Sequence, residues 1–217
     1  MHREILDFFK VTKVKHPELF AGVKVIEAGS LIINGSVRPY FSEDCEYFGV
    51  DAKDGDGVDW WGVFHEWEEK ADDYFDVAVS TEVLEHDPFW RMTLNHMIRK
   101  VKPEGALIIT TAGPARHPHG VKYYEDAKDP TIQRAEYHPW GPLADYYFAP
   151  PPEMILWELL HLTSFEYLEY SAMRDGQDLC FICKGMYDLK PNYYGRGQIA
   201  LLKKYNRTKI EGNEKKY

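Results

Sequence analysis

The sequence predicts an α/β protein: a doubly wound parallel sheet with helices on both faces. Three observations predict it. Short apolar, β-branched runs recur at residues 23–26, 47–50, 75–79 and 106–111. Between the last two, Trp90, Leu94, Met97, Ile98 and Val101 fall on one face of a helix. Each of the first three of these runs then gives way to acidic or small polar residues, Glu27-Ala28-Gly29-Ser30, Asp51 and Ser80-Thr81. Such sheets bind ligands at these carboxyl ends.

Taken in order, residues 1–20 alternate apolar and charged positions in helical fashion, with Ile5, Phe8 and Phe9 apolar, until His16-Pro17 interrupts them. This segment is expected to be an N-terminal helical lid or packing helix. The first strand, 23–26, runs into the Gly29 turn. The second, 47–50, ends at Asp51 and meets the turn Asp54-Gly55-Asp56-Gly57. A third run, 58–64, is less regular, and a fourth, 75–79, ends at Ser80-Thr81. Asp87-Pro88 is a helix start signal, and the helix should end before Pro103 and Gly105. After the strand at 106–111 the chain is aromatic and proline-rich over 113–152, too long for an ordinary connection. A helix near 153–162 and strands at 165–171 and 179–184 complete a domain over 21–187, and 188–217 forms a basic extension.

The chain has 217 residues, 44% hydrophobic and 28% charged, which suits one globular domain and excludes a disordered or fibrous chain. No apolar run is long enough to span a bilayer and the N-terminus lacks a signal-peptide core, so a cytoplasmic location with no membrane partner is expected. Cys45, Cys180 and Cys183 are too few for a disulfide framework. Cys180 and Cys183, three apart on a strand, should point to opposite faces, which argues against a redox pair. The net charge of −9 disfavours nucleic acid as a partner. From Asp188 to Tyr217, eight Lys or Arg face three Asp or Glu, so the extension is locally basic.

The dinucleotide fingerprint Gly-x-Gly-x-x-Gly is absent after the first strand, where Gly29 is followed by Ser30 and Leu31 and the next glycine is Gly35, which disfavours a nicotinamide-dependent enzyme. A carboxylate at Glu27 would repel a pyrophosphate but favour an ammonium group. Asp51, ending the second strand, suits the two hydroxyls of a ribose. A ligand carrying both groups, as S-adenosylmethionine does, would place its ammonium near Glu27 and the Gly29-Ser30 turn. Its adenine would lie near His65 and Glu66.

The stretches Val25-Ile26-Glu27-Ala28-Gly29-Ser30, Phe48-Gly49-Val50-Asp51, Phe75 to His86 and Val101 to Leu107 resemble, in order, the class I S-adenosylmethionine-dependent methyltransferases of type 11. The resemblance covers about residues 20 to 185. It implies a Rossmann-like sheet of about seven strands, mostly parallel with the last antiparallel, and S-adenosylmethionine as cofactor. Two departures stand out. The family's first loop holds closely spaced glycines, here separated by Ser30-Leu31-Ile32-Ile33-Asn34. The family's acid for the adenine amine is replaced by Val63-Phe64, followed by His65-Glu66. Ser80 completes the expected cofactor-binding set.

If residues 82–86 are helical, Glu82, Glu85 and His86 share a face and could converge on a hard divalent cation such as magnesium. A similar Glu-x-x-Glu-His element binds a metal in some relatives, and His117 or His119 could add a ligand. For methyl transfer to a hydroxyl, His119, following the fifth strand, is the expected catalytic base among His86, His117, His119 and His138. Residues Asp145-Tyr146-Tyr147-Phe148-Ala149-Pro150 resemble an Asp-Tyr-Trp-Arg-Phe-Thr-Pro element of relatives acting on sugars and secondary metabolites, without its arginine. Tyr123, Tyr124, Trp140, Tyr146 and Tyr147 could wall an acceptor. The expected activity is O-methylation of a small-molecule or saccharide acceptor; a catalytically silent scaffold or binding module is the alternative.

Overall fold

A computed structural model describes residues 3–119 and 146–188. Among these, α1 (Arg3–Lys15) precedes β1 (Lys24–Ala28), β2 (Glu46–Asp51), β3 (Trp60–Trp61) and β4 (Phe75–Thr81). Then come α2 (Trp90–Lys100), β5 (Val101–Ala112), α3 (Pro152–Leu162), β6 (Ser164–Met173) and β7 (Asp178–Tyr187). The strands form one seven-stranded sheet in the order β3-β2-β1-β4-β5-β7-β6. Strands β1 to β5 pair in parallel, and β7 runs antiparallel to both β5 and β6. The expected sheet, with its last strand reversed, is observed.

Alternation of side chains along each strand builds two cores. On one face Ile5 and Phe9 of α1 pack with Val25, Val77, Val79, Ile108 and Cys180. On the other, Leu94, Met97 and Ile98 of α2 and Ile155, Leu159 and Leu162 of α3 pack with Ile26, Ala78, Leu107 and Cys183. Cys180 and Cys183 therefore face opposite sides of the sheet, both as free thiols.

Strict strand–helix alternation does not hold. The β1–β2 and β2–β3 connections contain no α-helix; a short 3-10 turn, Arg38–Tyr40, interrupts the first. Glycines and Pro39 punctuate these segments, and the two loops bind each other instead, with Ile32 N donating to Asp56 O at 2.9 Å. The irregular third run shrinks to Trp60–Trp61. Asp87 sits two residues before the N-cap Phe89, where its carboxylate accepts from Phe89 N at 2.7 Å and Thr93 Oγ1 at 2.5 Å. Strand β5 begins at Val101, directly after α2, although Pro103 was expected to lie in a connection. The pairing jumps from Phe75↔Val101 to Val77↔Ala106, so the proline falls in a bulge where no ladder donor is required.

Candidate active site

The register brings the carboxyl ends of β1, β2, β4 and β5 to one edge: Ala28 pairs with Val50 and Ser80, and Thr81 with Thr110. Because β7 is reversed, its first residue, Asp178, pairs with Ala112 at this same edge. The hairpin before β7 closes over the end of β5, where Gly113 N donates to Gln177 O at 2.7 Å.

At the end of β1 the chain turns through Gly29, whose φ of +81° is a left-handed conformation. A Cβ there would lie 2.1 Å from Val83 Cγ2, so the turn and the loop after β4 are in intimate contact. Gly29 N and Ser30 N both donate to Val50 O, at 2.8 and 3.2 Å. Asp51 accepts from Leu31 N at 3.1 Å and Lys53 N at 2.9 Å, which fixes its carboxylate between the first two loops. Burial raises its pKa. Glu27 is 3% exposed, accepts from Tyr47 OH at 2.8 Å, and is pushed by burial to a pKa of about 7. The hydroxyls of Ser30 and Ser80 are buried without a hydrogen-bond partner among the described residues. A glycine turn, two carboxylates and two unsatisfied hydroxyls fit a polar ligand spanning the ends of β1, β2 and β4. His65 is buried edge-on to Phe89 at 5.7 Å, and Glu66 is partly exposed beside it.

A second cluster stands at the ends of β4 and β5. Residues 82–86 form a turn rather than a helix, with His86 N donating to Val83 O at 2.9 Å. Glu82 has a φ of +58°, and its carboxylate meets Arg116, which also binds the buried Asp178 at 3.1 Å. Desolvation, then the neighbouring Glu85, raises Glu82 to a pKa of about 7. Glu85 is fully buried; Thr111 Oγ1 donates to its Oε2 at 2.9 Å, while Oε1 lacks a partner among the described residues. The Nε2 atoms of His86 and His119 lie 3.4 Å apart, and the Tyr147 ring stands edge-on to both imidazoles at 5.2 and 5.1 Å. One ligand atom from each of Glu85, His86 and His119 lies within 4.8 Å of the others.

The turn thus separates the three residues expected to act together. Glu82 is held by Arg116, and His119 joins Glu85 and His86 in its place. Arg116, Asp178 and Tyr47 were not singled out from the sequence. Arg116 lies in a loop without periodicity, and Asp178 joins the site only because β7 is reversed. Tyr47 carried a signal, since it shares a sheet face with Glu27 on the adjacent strand. His138, Tyr123, Tyr124, Trp140 and the 189–217 part of the basic extension lie outside the described residues.

A family model described as a methyltransferase domain matches residues 34–146, just over half of the chain. Among solved structures, 1,6-didemethyltoxoflavin-N1-methyltransferase from Burkholderia thailandensis, with bound 1,6-didemethyltoxoflavin and S-adenosylhomocysteine, aligns with a TM-score of 0.54 and 14% identity over 82% of this chain and 77% of that one. The N-methyltransferase NodS from Bradyrhizobium japonicum WM9, in complex with S-adenosylhomocysteine, gives 0.52 and 14% over 85% and 87%. The PH0226 protein from Pyrococcus horikoshii OT3 gives 0.56 and 11% over 84% and 90%. At these identities the likeness is one of fold. No curated protein matches the chain by sequence.

Proposed function

Because the chain belongs to the methyltransferase-domain family, we propose that it transfers the methyl group of S-adenosylmethionine to a hydroxyl of a small-molecule or saccharide acceptor, with Glu27, Gly29, Ser30, Asp51, His65, Glu66 and Ser80 forming the cofactor site. The carrying observation is that the unsatisfied Ser30 and Ser80 hydroxyls and the Glu85–His86–His119 cluster occupy one edge of the sheet.

Asp51 would accept from the ribose hydroxyls with the lone pairs its two amide donors leave free. Glu27 would face the ammonium. Transfer joins the acceptor oxygen to the methyl carbon as the carbon–sulfur bond breaks, leaving a thioether and one proton to remove. His119 suits that proton: its Nδ1 lies 3.2 Å from the His117 carbonyl, which can only accept, so Nε2 carries the lone pair, and the acceptor hydroxyl would have to displace Arg116 Nη2 and His86 Nε2, each 3.4 Å from that atom. Glu85, His86 and His119 offer one carboxylate oxygen with no partner among the described residues and two imidazoles whose Nε2 atoms lie 3.4 Å apart. This donor set suits a borderline divalent cation such as zinc or manganese better than magnesium, and with such an ion bound His119 would serve as ligand in place of base. Such an ion would lower the pKa of a hydroxyl bound beside it. No described helix is long and apolar enough to cross a membrane, and the reading takes the protein to act in the cytoplasm.

Calorimetric titration with S-adenosylmethionine tests the cofactor, and label transfer from it to panels of phenols, sugars and amines tests the acceptor. Micromolar binding with turnover of hydroxyl acceptors is the expected result. Turnover of amines alone would overturn the O-methylation reading, and absence of binding would overturn the cofactor site.

A further inference from the structure

Tyr47 lies on β2, one strand away from Glu27, and the two side chains meet on the α1 face of the sheet. The parallel register pairs Val25 with Tyr47 and Glu27 with Gly49, so the phenol reaches diagonally across to Glu27. Its partner on β2, Gly49, has no side chain: a Cβ there would collide with Gly57 O at 2.3 Å and Ser30 Oγ at 2.6 Å. Only the diagonal neighbour can therefore address the Glu27 carboxylate from β2. Tyr47 OH donates to Oε2 at 2.8 Å, and no described residue donates to Oε1.

The tyrosine is itself held by Arg38 and Phe41, and Asp59 fixes Arg38 in turn. The Arg38 guanidinium lies 4.7 Å over its ring and donates to its carbonyl oxygen at 2.9 Å. Asp59 pairs with Arg38 at 3.3 Å and accepts from Gly49 N at 2.7 Å. Phe41 stands edge-on to the ring at 5.2 Å. A phenol fixed in this way commits one oxygen of its carboxylate partner and leaves the other for a ligand.

We propose that Tyr47 is a positioning residue for the methyl donor, orienting Glu27 so that Oε1 receives the ammonium of the cofactor's amino-acid end. The inference rests on the cofactor placement given above. It predicts a proton linked to binding. The groups that face Glu27 are Tyr47, Arg38 and Asp51; burial dominates and puts the carboxyl near 7 in the free protein. An arriving ammonium favours the carboxylate, so binding releases protons near neutral pH and tightens as pH rises through about 7. Without the phenol donor the carboxyl would titrate higher still.

The test compares S-adenosylhomocysteine, which has the ammonium, with 5′-methylthioadenosine, which lacks the whole amino-acid end. Calorimetry of the wild-type protein, Tyr47→Phe and Glu27→Gln would be run from pH 6 to 9 in buffers of different ionisation enthalpy. Tyr47→Phe keeps the packed ring. We expect it to weaken S-adenosylhomocysteine by roughly three- to tenfold at pH 7, about the value of one hydrogen bond. Its affinity profile should move to higher pH, with 5′-methylthioadenosine unaffected. The wild-type protein should release a fraction of a proton with the first ligand only, a result that needs no variant. Equal weakening of both ligands, or an unchanged Tyr47→Phe profile while Glu27→Gln weakens S-adenosylhomocysteine, would overturn the role of Tyr47. An unchanged Glu27→Gln would instead overturn the placement of the ammonium itself.

Discussion

Replacing Gly29 by alanine puts the first loop to a quantitative test. Gly29 has a φ of +81°, where an L-residue costs about 1–2 kcal/mol, and the added Cβ would lie 2.1 Å from Val83 Cγ2. Forcing that overlap adds about 1–3 kcal/mol, the usual cost of overpacking. Gly29→Ala should therefore lose about 2–5 kcal/mol of stability and shift the loop after β4 against the turn. Val83→Ala removes the colliding methyl, so the double variant should recover the overpacking part and retain only the backbone strain. The double-mutant cycle, measured by urea unfolding at constant m-value, should give a favourable coupling of about 1–3 kcal/mol. S-adenosylhomocysteine affinity should follow the same recovery. Strictly additive losses would refute the claim that the Gly29 turn and Val83 touch at the site.

Asp51→Ala should weaken S-adenosylmethionine binding by about 1–3 kcal/mol in calorimetry through lost ribose hydrogen bonds, and unchanged affinity would move the ribose elsewhere. Manganese should raise the melting temperature of the wild-type protein and have no such effect on Glu85→Gln; an equal rise in both would locate the ion outside the Glu85–His86–His119 cluster. Asp87→Ala should cost about 1–2 kcal/mol in chemical unfolding, because Phe89 N and Thr93 Oγ1 lose their acceptor at the start of α2. Burial raises the carboxyls of Glu27 and Glu82 to about 7 and Asp87 to about 6, and lifts Asp51 and Glu85. Each keeps its proton to a higher pH when folded than when unfolded, so each withdraws stability as pH rises from about 4 to 7. Buried His96, held down to about 3 chiefly by desolvation, works in the opposite sense, losing stability as pH falls below about 6.5. The carboxyls outnumber it, and urea unfolding should show stability falling by about 2–4 kcal/mol from pH 5 to 8; a rise over that range would contradict the burial of these acids.

The strands that frame the site were legible because their signal is local. Val25, Val77 and Ile108 needed only β-branched runs and turn residues to be recognised, and Glu27 and Asp51 followed as the polar residues ending such runs. The Cys180 and Cys183 faces followed from strand periodicity alone. The absent helices were not legible: nothing in residues 29–45 excludes a helical turn except its glycines and Pro39, and the loop is shaped by bonds to Asp56 and Phe20 far along the chain. The second cluster failed for a related reason. The spacing of Glu82, Glu85 and His86 is informative only on a helix, and the left-handed backbone at Glu82 hands its carboxylate to Arg116, 34 residues away.

The reversal of β7 has a consequence for how this edge of the sheet could change. A parallel strand must return across the whole sheet before it can present a residue at this edge, so its preceding connection has a minimum length. Here Asp178 arrives from a hairpin, Arg174–Gly176, whose tip already hangs over Gly113 and whose Arg174 reaches Asp178 at 3.4 Å. That tip can lengthen or shorten by single residues without rethreading any crossover. It offers evolution a place to reshape the end of β5 while the register of β5 and β7, and the proposed cofactor site at the ends of β1, β2 and β4, stay as they are.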